Sequence, residues 1–204
     1  ETLAVLEAAR AEGFRSISID LIYGLPHQTV AGFERTLERV VDFAPDRLSV
    51  FNYAHLPKRF MPQRRIDEAD LPAPQVKLDI LQATGQRLGE AGYVYIGMDH
   101  FARPDDELAV AQQDGTLYRN FQGYSTHAEC DLIGIGVTSI GKVDNTYAQN
   151  RRTLDEYYAD IDAGRLAVFR GIELSRDDEI RRDVITRVIC NFFLDYADVE
   201  RAWG

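Results

Sequence analysis

The sequence is nearly free of cysteine: Cys130 and Cys190 are the two in 204 residues. A disulfide scaffold is excluded, and a reducing compartment, the cytoplasm, is expected. Neither cysteine stands in a CxxC or CxxxCxxC spacing, so this chain cannot hold an iron–sulfur cluster by itself. No apolar run reaches about 18 residues, which removes a transmembrane helix. Positive charge is short too. The 23 Lys and Arg face 33 Asp and Glu, a net charge of −10, which argues against a non-specific nucleic-acid or anionic-membrane binder. Glu1-Thr2-Leu3 carries no initiator Met and no signal peptide, and a helical pattern is already under way there. The pattern is again unfinished at Ala202-Trp203-Gly204, so the expectation is a fragment of a longer chain, cut at both ends.

What is present is globular. The chain is 45% hydrophobic, 27% charged and 10% aromatic, enough for a sizeable core. Residues 3 to 10 read as helix. Ser16 to Ile22 alternates with period two, a strand signal broken by Tyr23-Gly24-Leu25-Pro26. Thr29 is placed to cap a helix with Val30, Phe33, Leu37, Val40 and Val41 on one face, ended by Pro45. Arg47 to Tyr53 is a second strand, closed by Leu56-Pro57. Pro72 and Pro74 open a longer helix with Val76, Ile80, Leu81, Thr84 and Leu88 on its buried stripe and Gly92 as its C′ residue. Tyr93 to Met98 is a third strand.

The order is βαβαβ with short connections, which predicts parallel strands with right-handed crossovers. The expected class is α/β, and the spacing of 30-odd residues suits either a β/α barrel or a doubly wound sheet. Two and a half units cannot close a barrel, which fits a chain that holds its later part. A half-barrel of this kind exposes an apolar sheet edge and helix faces. Further along, 105 to 114 reads as a short helix and Asp131 to Val137 as a strand or close-packed turn. Leu154 to Ala163 is a polar-faced helix. Asp177 to Phe193 is a stronger one, capped by Ser175. The expected domains are the barrel portion at 1–98, an extension contributing to the active site at 99–150, and the start of an α-rich domain at 151–204.

In parallel α/β folds, ligands bind at the carboxyl ends of strands. Asp20 lies there. Its alternation with Ile19 and Leu21 turns it to the face away from the helices, into the barrel. A carboxylate there binds ligand hydroxyls or an ammonium group, or it pairs with a neighbouring Arg. His27, His55 and His100 fall in loops after successive strands, and with Asp20 they compose a candidate metal set. Loop histidines also simply hydrogen-bond to backbone. Lys58 to Arg65 is a basic rim stretch, suited to carboxylates or phosphates or merely to solvent. Arg103 and Arg119 carry the same ambiguity. Gly134-Ile135-Gly136 lacks the third glycine of a dinucleotide fingerprint, so these glycines read as room for close approach of a ligand or a neighbouring strand.

Four segments carry a closer signal: Asp20-Leu21-Ile22-Tyr23-Gly24-Leu25-Pro26, Arg47 to Pro57, Ile96 to Pro104, and Arg119-Asn120-Phe121-Gln122-Gly123-Tyr124. Over essentially its whole length the chain resembles the oxygen-independent coproporphyrinogen III oxidases (dehydrogenases), a radical S-adenosylmethionine family. The resemblance implies the C-terminal part of a radical SAM β/α barrel followed by the start of an α-rich C-terminal domain. It implies oxidative decarboxylation of two propionates of coproporphyrinogen III to vinyl groups, giving protoporphyrinogen IX in haem biosynthesis, by a 5′-deoxyadenosyl radical. The implied cofactors are a [4Fe–4S] cluster, whose ligands lie outside this chain, and two molecules of S-adenosylmethionine. By the same resemblance Asp20, Ala54 and Ile140 contact S-adenosylmethionine. An electron donor of unassigned identity and a monomeric state for the whole protein are expected, and the charge balance and lack of a long apolar run predict no nucleic-acid or membrane partner. Arg59, Arg103 and Arg119 are candidates to meet the substrate's carboxylates. Two alternatives stand beside this. One is a sister haem chaperone, whose HNxxYW-like motif aligns where this chain has Arg119 to Tyr124 without the Trp. The other is a barrel metallohydrolase using the three histidines.

Overall fold

A computed structural model describes residues 2–204. The chain divides into two compact units, one running to Ala111 and one comprising Gln112–Gly204.

The first unit opens with α1 (Thr2–Ala11) and β1 (Ser18–Tyr23). α2 (Val30–Phe43) follows, with the Thr29 side chain accepting from Gly32 N–H at its start. Pro45 bars a further turn, and Ala44 ends the helix at φ 54° with its N–H bonded to Val40 and Val41 carbonyls. β2 (Arg47–Asn52) leads through two single-turn 3₁₀ segments, Met61–Arg65 and Glu68–Asp70, to α3 (Pro74–Glu90). Proline opens α3, and Gly92 at φ 86° turns the chain out of it. β3 (Val94–Gly97), β4 (His100–Ala102) and α4 (Glu107–Gln113) complete the run.

The strands form one four-stranded sheet in the order β1-β2-β4-β3. β1 and β2 pair in parallel, with Ile19 opposite Leu48 and Leu21 opposite Val50. The expected parallel contact between the second and third strands is not made. β4 lies between them and is antiparallel to both. The cause is a tight reversal: Met98 and Asp99 both take left-handed backbone angles, at φ 41° and 67°. That is the geometry of a two-residue hairpin turn, built here without the usual Asn-Gly signature.

Helices α2 and α3 seal one face of this sheet. Phe33, Leu37, Val40, Ile80 and Leu88 pack with Tyr23, Leu48, Val50 and Phe101. Leu37, Leu48, Ile80 and Leu88 are fully buried. Tyr93 joins this core and donates its hydroxyl to the Pro45 carbonyl at 2.6 Å. The opposite face is open, and Ile22 and Phe51 stand exposed on it.

The second unit holds the hairpin β5 (Tyr118–Asn120) and β6 (Gly123–Ser125) and a three-stranded antiparallel sheet. That sheet consists of β7 (Ile140–Val143), β8 (Thr146–Asn150) and β9 (Val168–Glu173). The stretch 131–137 is irregular chain rather than a strand, with one bridge, Leu132 to Lys142, and with Ile133 and Ile135 exposed. α5 (Leu154–Asp162), α6 (Arg176–Asn191) and α7 (Tyr196–Trp203) follow. Ser175 and Asp178 form a reciprocal capping box at the start of α6. β9 is not announced by sequence, and it pairs with β8 across residue 151. Asp160 clasps this unit: it accepts from Arg151 Nε at 2.8 Å and Arg165 Nη2 at 2.6 Å.

Replacing fully buried Leu48 by Ala is expected to cost about 2–5 kcal/mol, read as a lower urea midpoint of the first unit. Hydrogen bonds from Arg151 and then Arg165 hold the Asp160 carboxyl below its usual pKa. A depressed folded value gives stability that is complete above the unfolded value of about 3.9 and is lost as pH falls through the folded one. Asp160→Asn is therefore expected to lower the Tm at neutral pH, and the difference from wild type should shrink below about pH 4.

Candidate functional site

The alternation of β1 decides where its acid points. Ile19 and Leu21 pack against the core, so Ser18, Asp20 and Ile22 face the other way. In register, Asp20 lies beside Ser49, and Ser49 beside His100. A polar row therefore crosses this face, exposed at Asp20 and buried at Ser49, with the exposed Ile22–Phe51 row one step toward the strands' carboxyl ends. The Phe51 ring meets the His100 ring edge-on at 5.8 Å. Asp20 is exposed, and its side chain makes no ion pair or hydrogen bond among the described residues. The structural pairing with an Arg, one of the two sequence readings, is not what the structure contains. Its carboxylate is free for a ligand.

The loops at the carboxyl ends are fixed by side-chain amides that the sequence reading did not single out. After β1, Gly24 turns at φ 86°, and a Cβ there would stand 3.0 Å from Asn52 Oδ1. Gln28 Oε1 accepts from Gly24 N–H at 2.6 Å and Leu25 N–H at 3.3 Å, while its Nε2 donates to the Ile22 carbonyl at 3.3 Å. After β2, Gln63 does the same work. Its Nε2 donates to the Ala54 carbonyl at 3.1 Å and its Oε1 accepts from Leu56 N–H at 2.6 Å. Ala54 is exposed, so this bracing holds its backbone on the surface in a set position.

In the second unit a third amide recurs. Asn150 Nδ2 donates to the Gly134 carbonyl (3.1 Å), the Gly136 carbonyl (3.0 Å) and Ser139 Oγ (3.0 Å). The glycines answer to neighbouring chain: a Cβ on Gly134 would sit 3.0 Å from the Ile140 carbonyl carbon, and one on Gly141 2.8 Å from the Leu132 carbonyl oxygen. Within the stretch read from sequence, Gly134 has neighbouring backbone close by, whereas a Cβ on Gly136 would meet nothing within 4 Å and its φ of 93° is what calls for glycine. Ile140 opens β7 opposite Gln149 and lines a cavity of about 320 Å³ with Phe121, Tyr147 and Arg170.

The metal set does not assemble. His27 Nε2 lies 3.6 Å from Asp70. His55 lies 3.7 Å from Glu68 and 3.2 Å from the Tyr53 hydroxyl. His100 Nδ1 lies 2.7 Å from the Met98 carbonyl. Among the described residues no three His, Cys, Asp or Glu side chains are grouped to hold a metal ion. Nor do the thiols suit a [4Fe–4S] cluster: Cys130 is exposed, and Cys190 is buried with its thiol pushed up to about 11 by desolvation. S-adenosylmethionine fits the residues better. Asp20 offers a free acceptor, and Ala54 offers braced backbone. The basic candidates divide. Arg59 lies over the Phe60 ring, Arg103 pairs with Asp105 at 3.3 Å, and Arg119 lies over the Tyr124 ring.

No family model matches the chain. The solved coproporphyrinogen III oxidase from Escherichia coli, described as a radical SAM enzyme, superposes with a TM-score of 0.95 at 58% identity, over 99% of this chain and 46% of that one. The fold is thus that of the C-terminal portion of a radical SAM enzyme. The oxygen-independent coproporphyrinogen III oxidase of Pseudomonas aeruginosa is 56% identical over the full 204 residues, and that of E. coli K12 is 60% identical over 200. A Synechocystis protein of the same name is 48% identical over 200 residues. The chain is homologous along its length to the oxygen-independent coproporphyrinogen III oxidases, and it spans about 44% of the length of the Pseudomonas and E. coli proteins.

Gln63→Ala removes both bonds that brace Ala54 and Leu56. Two such bonds are worth about 1 kcal/mol each, so the Leu56 amide is expected to exchange at least about tenfold faster. Gln63→Glu keeps the acceptor for Leu56 and should restore part of that protection. Equal exchange in wild type and Gln63→Ala would show that the loop is held by other means.

Proposed function

We propose that this chain provides part of the substrate and S-adenosylmethionine site of an oxygen-independent coproporphyrinogen III oxidase acting in haem biosynthesis. The observation that carries the reading is identity of 48–60% to proteins of that name across nearly the whole chain. The overall change takes each of two propionates to a vinyl group. Written from the carboxylate, each side chain loses a hydrogen atom, CO₂ and one further electron, so that a C–H and a C–C bond break, a C=C bond forms, and the total change is one proton and two electrons. S-adenosylmethionine, when bound, supplies the hydrogen-abstracting chemistry of radical SAM enzymes.

The chain's own residues do the holding. Asp20 accepts hydrogen bonds from ligand hydroxyls or an ammonium group. Its carboxylate reaches the ligand already free, with no internal ion pair to break first. Ala54 and Ile140 contribute contacts that need no reactive side chain. Backbone position and an apolar surface suffice, and the Gln63 and Asn150 amides set that position. Two molecules of S-adenosylmethionine share these contacts. The cluster and its ligands belong to residues other than these, because the two thiols here do not suit it. No helix among the described residues is long and apolar enough to cross a membrane, and a cytoplasmic monomer supplied by a separate electron donor completes the proposal.

Asp20→Asn in the full protein is expected to weaken S-adenosylmethionine binding about ten- to hundredfold, the value of a hydrogen bond to a charged acceptor. Equilibrium titration measures it, and an unchanged affinity removes Asp20 from the site. Anaerobic conversion of coproporphyrinogen III to protoporphyrinogen IX by the full protein, with S-adenosylmethionine and a reductant, tests the reaction itself. Tight haem binding without conversion would instead indicate the chaperone branch.

A further inference from the structure

The second unit contains a cavity of about 630 Å³ between β5, β7, β8 and α6 whose charge runs against that of the chain. Arg119 comes from β5, Lys142 from β7, and Arg181 and Arg182 from α6. One acid, Asp178, lines it as well. That carboxylate is committed to the helix cap, accepting from Ser175 N–H at 3.0 Å and Ser175 Oγ at 2.6 Å. Arg181 is also satisfied, by Asp177 at 2.6 Å. The other three cations are less fully paired. Arg182 reaches Glu179 at 3.8 Å through Nη2 and leaves Nη1 over. Arg119 and Lys142 rest over the rings of Tyr124 and Tyr118, at 5.4 and 5.7 Å, and among the described residues neither makes an ion pair, although Glu129 lines the adjoining cavity with Lys142. Arg119 Nε and Arg182 Nη1 are sealed from water without an acceptor. Buried cationic donors left in this way are costly unless an anion completes the site.

The walls between these cations are aromatic. Phe121 and Tyr147 meet edge-to-face at 5.2 Å, and both line the cavity. Cations set around aromatic surface suit a carboxylate carried on a broad, largely apolar ring system better than a small hydrated anion. We propose that this cavity seats propionate carboxylates of the tetrapyrrole substrate, with Arg119, Lys142 and Arg182 as their partners. The proposal rests on the function proposed above and goes further by assigning substrate recognition to residues of the second unit. S-adenosylmethionine also carries a carboxylate, so the test must separate the two sources.

Coproporphyrin III, the fluorescent oxidised form with the same four carboxylates, and S-adenosylmethionine are titrated separately against the full protein and its variants. Arg119→Gln and Lys142→Gln should each weaken coproporphyrin III binding about tenfold, the value of one charge-assisted contact, and leave S-adenosylmethionine affinity unchanged. Lys142→Arg, which keeps the charge, should bind the porphyrin as wild type does. Melting curves identify any variant that fails to fold, and Lys142→Gln on its own then decides. Unchanged porphyrin affinity in a folded variant overturns the proposal. A loss confined to S-adenosylmethionine does so too, because the cavity would then seat that carboxylate. A wild-type protein that does not bind coproporphyrin III sinks the proposed function along with it, whereas wild-type binding that the variants leave intact sinks this assignment alone.

Discussion

One-sided burial governs the first unit. α2 and α3 cover a single face of the four-stranded sheet, and Leu37, Leu48, Ile80 and Leu88 are fully buried beneath them. Strand side chains alternate with period two, so sealing one face commits every second residue to the other. Asp20, Ser49 and His100 form a row on the open face because Ile19, Val50 and Phe101 belong to the covered one. A one-residue slip of β1 would put the Asp20 carboxylate into the helix interface and Leu21 outside. The several apolar contacts at stake make that register far better than its neighbours. The position of the acid is thus enforced by the hydrophobic core rather than by any bond the acid makes.

The ends of the strands are governed differently. Chain leaving a strand has lost its ladder, and its peptide groups need other partners. Gln28, Gln63 and Asn150 provide them, each bonding two or three groups with one side-chain amide. A carboxamide suits this role because it donates and accepts from one short planar group and carries no charge to desolvate. The loops beside Asp20, Ala54 and Ile140 therefore share a mode of support despite unrelated sequences. Pre-set backbone lowers the ordering cost of binding, which matters most where the contact is as slight as an alanine.

Much of this was legible because local signals agreed with the fold. Thr29, Pro45, Pro74, Gly92 and Ser175 mark helix ends where the structure places them. The Ser18–Leu21 alternation predicts the orientation of Asp20 correctly. β4 was not legible. It is three residues long, and its hairpin turn uses Met98 and Asp99 in left-handed conformations that such residues seldom adopt. β9 escaped for another reason: all six of its residues are exposed, so no buried alternation marks it. The amide braces left no trace either, since a glutamine in a polar loop looks the same whether or not it reaches back to the strand. The histidines misled by position alone. Falling after successive strands places residues at one rim, but a metal site also needs side chains to converge, and His27, His55 and His100 each have a partner close at hand.

Charge shows the same gap between composition and arrangement. A net charge of −10 suggests a surface that repels carboxylates. The field a ligand meets is local, however, and it depends on which charges are already spent. In the second unit several acids of α6 are engaged close to their own chain: Asp178 in the cap, Asp177 with Arg181, and Asp183 with Arg187 and with the Trp203 indole of α7. Asp178, the one of these acids that lines the cavity, is spent on the cap. An acidic helix can in this way border a site that attracts anions, because its carboxylates face their own cap and their own arginines.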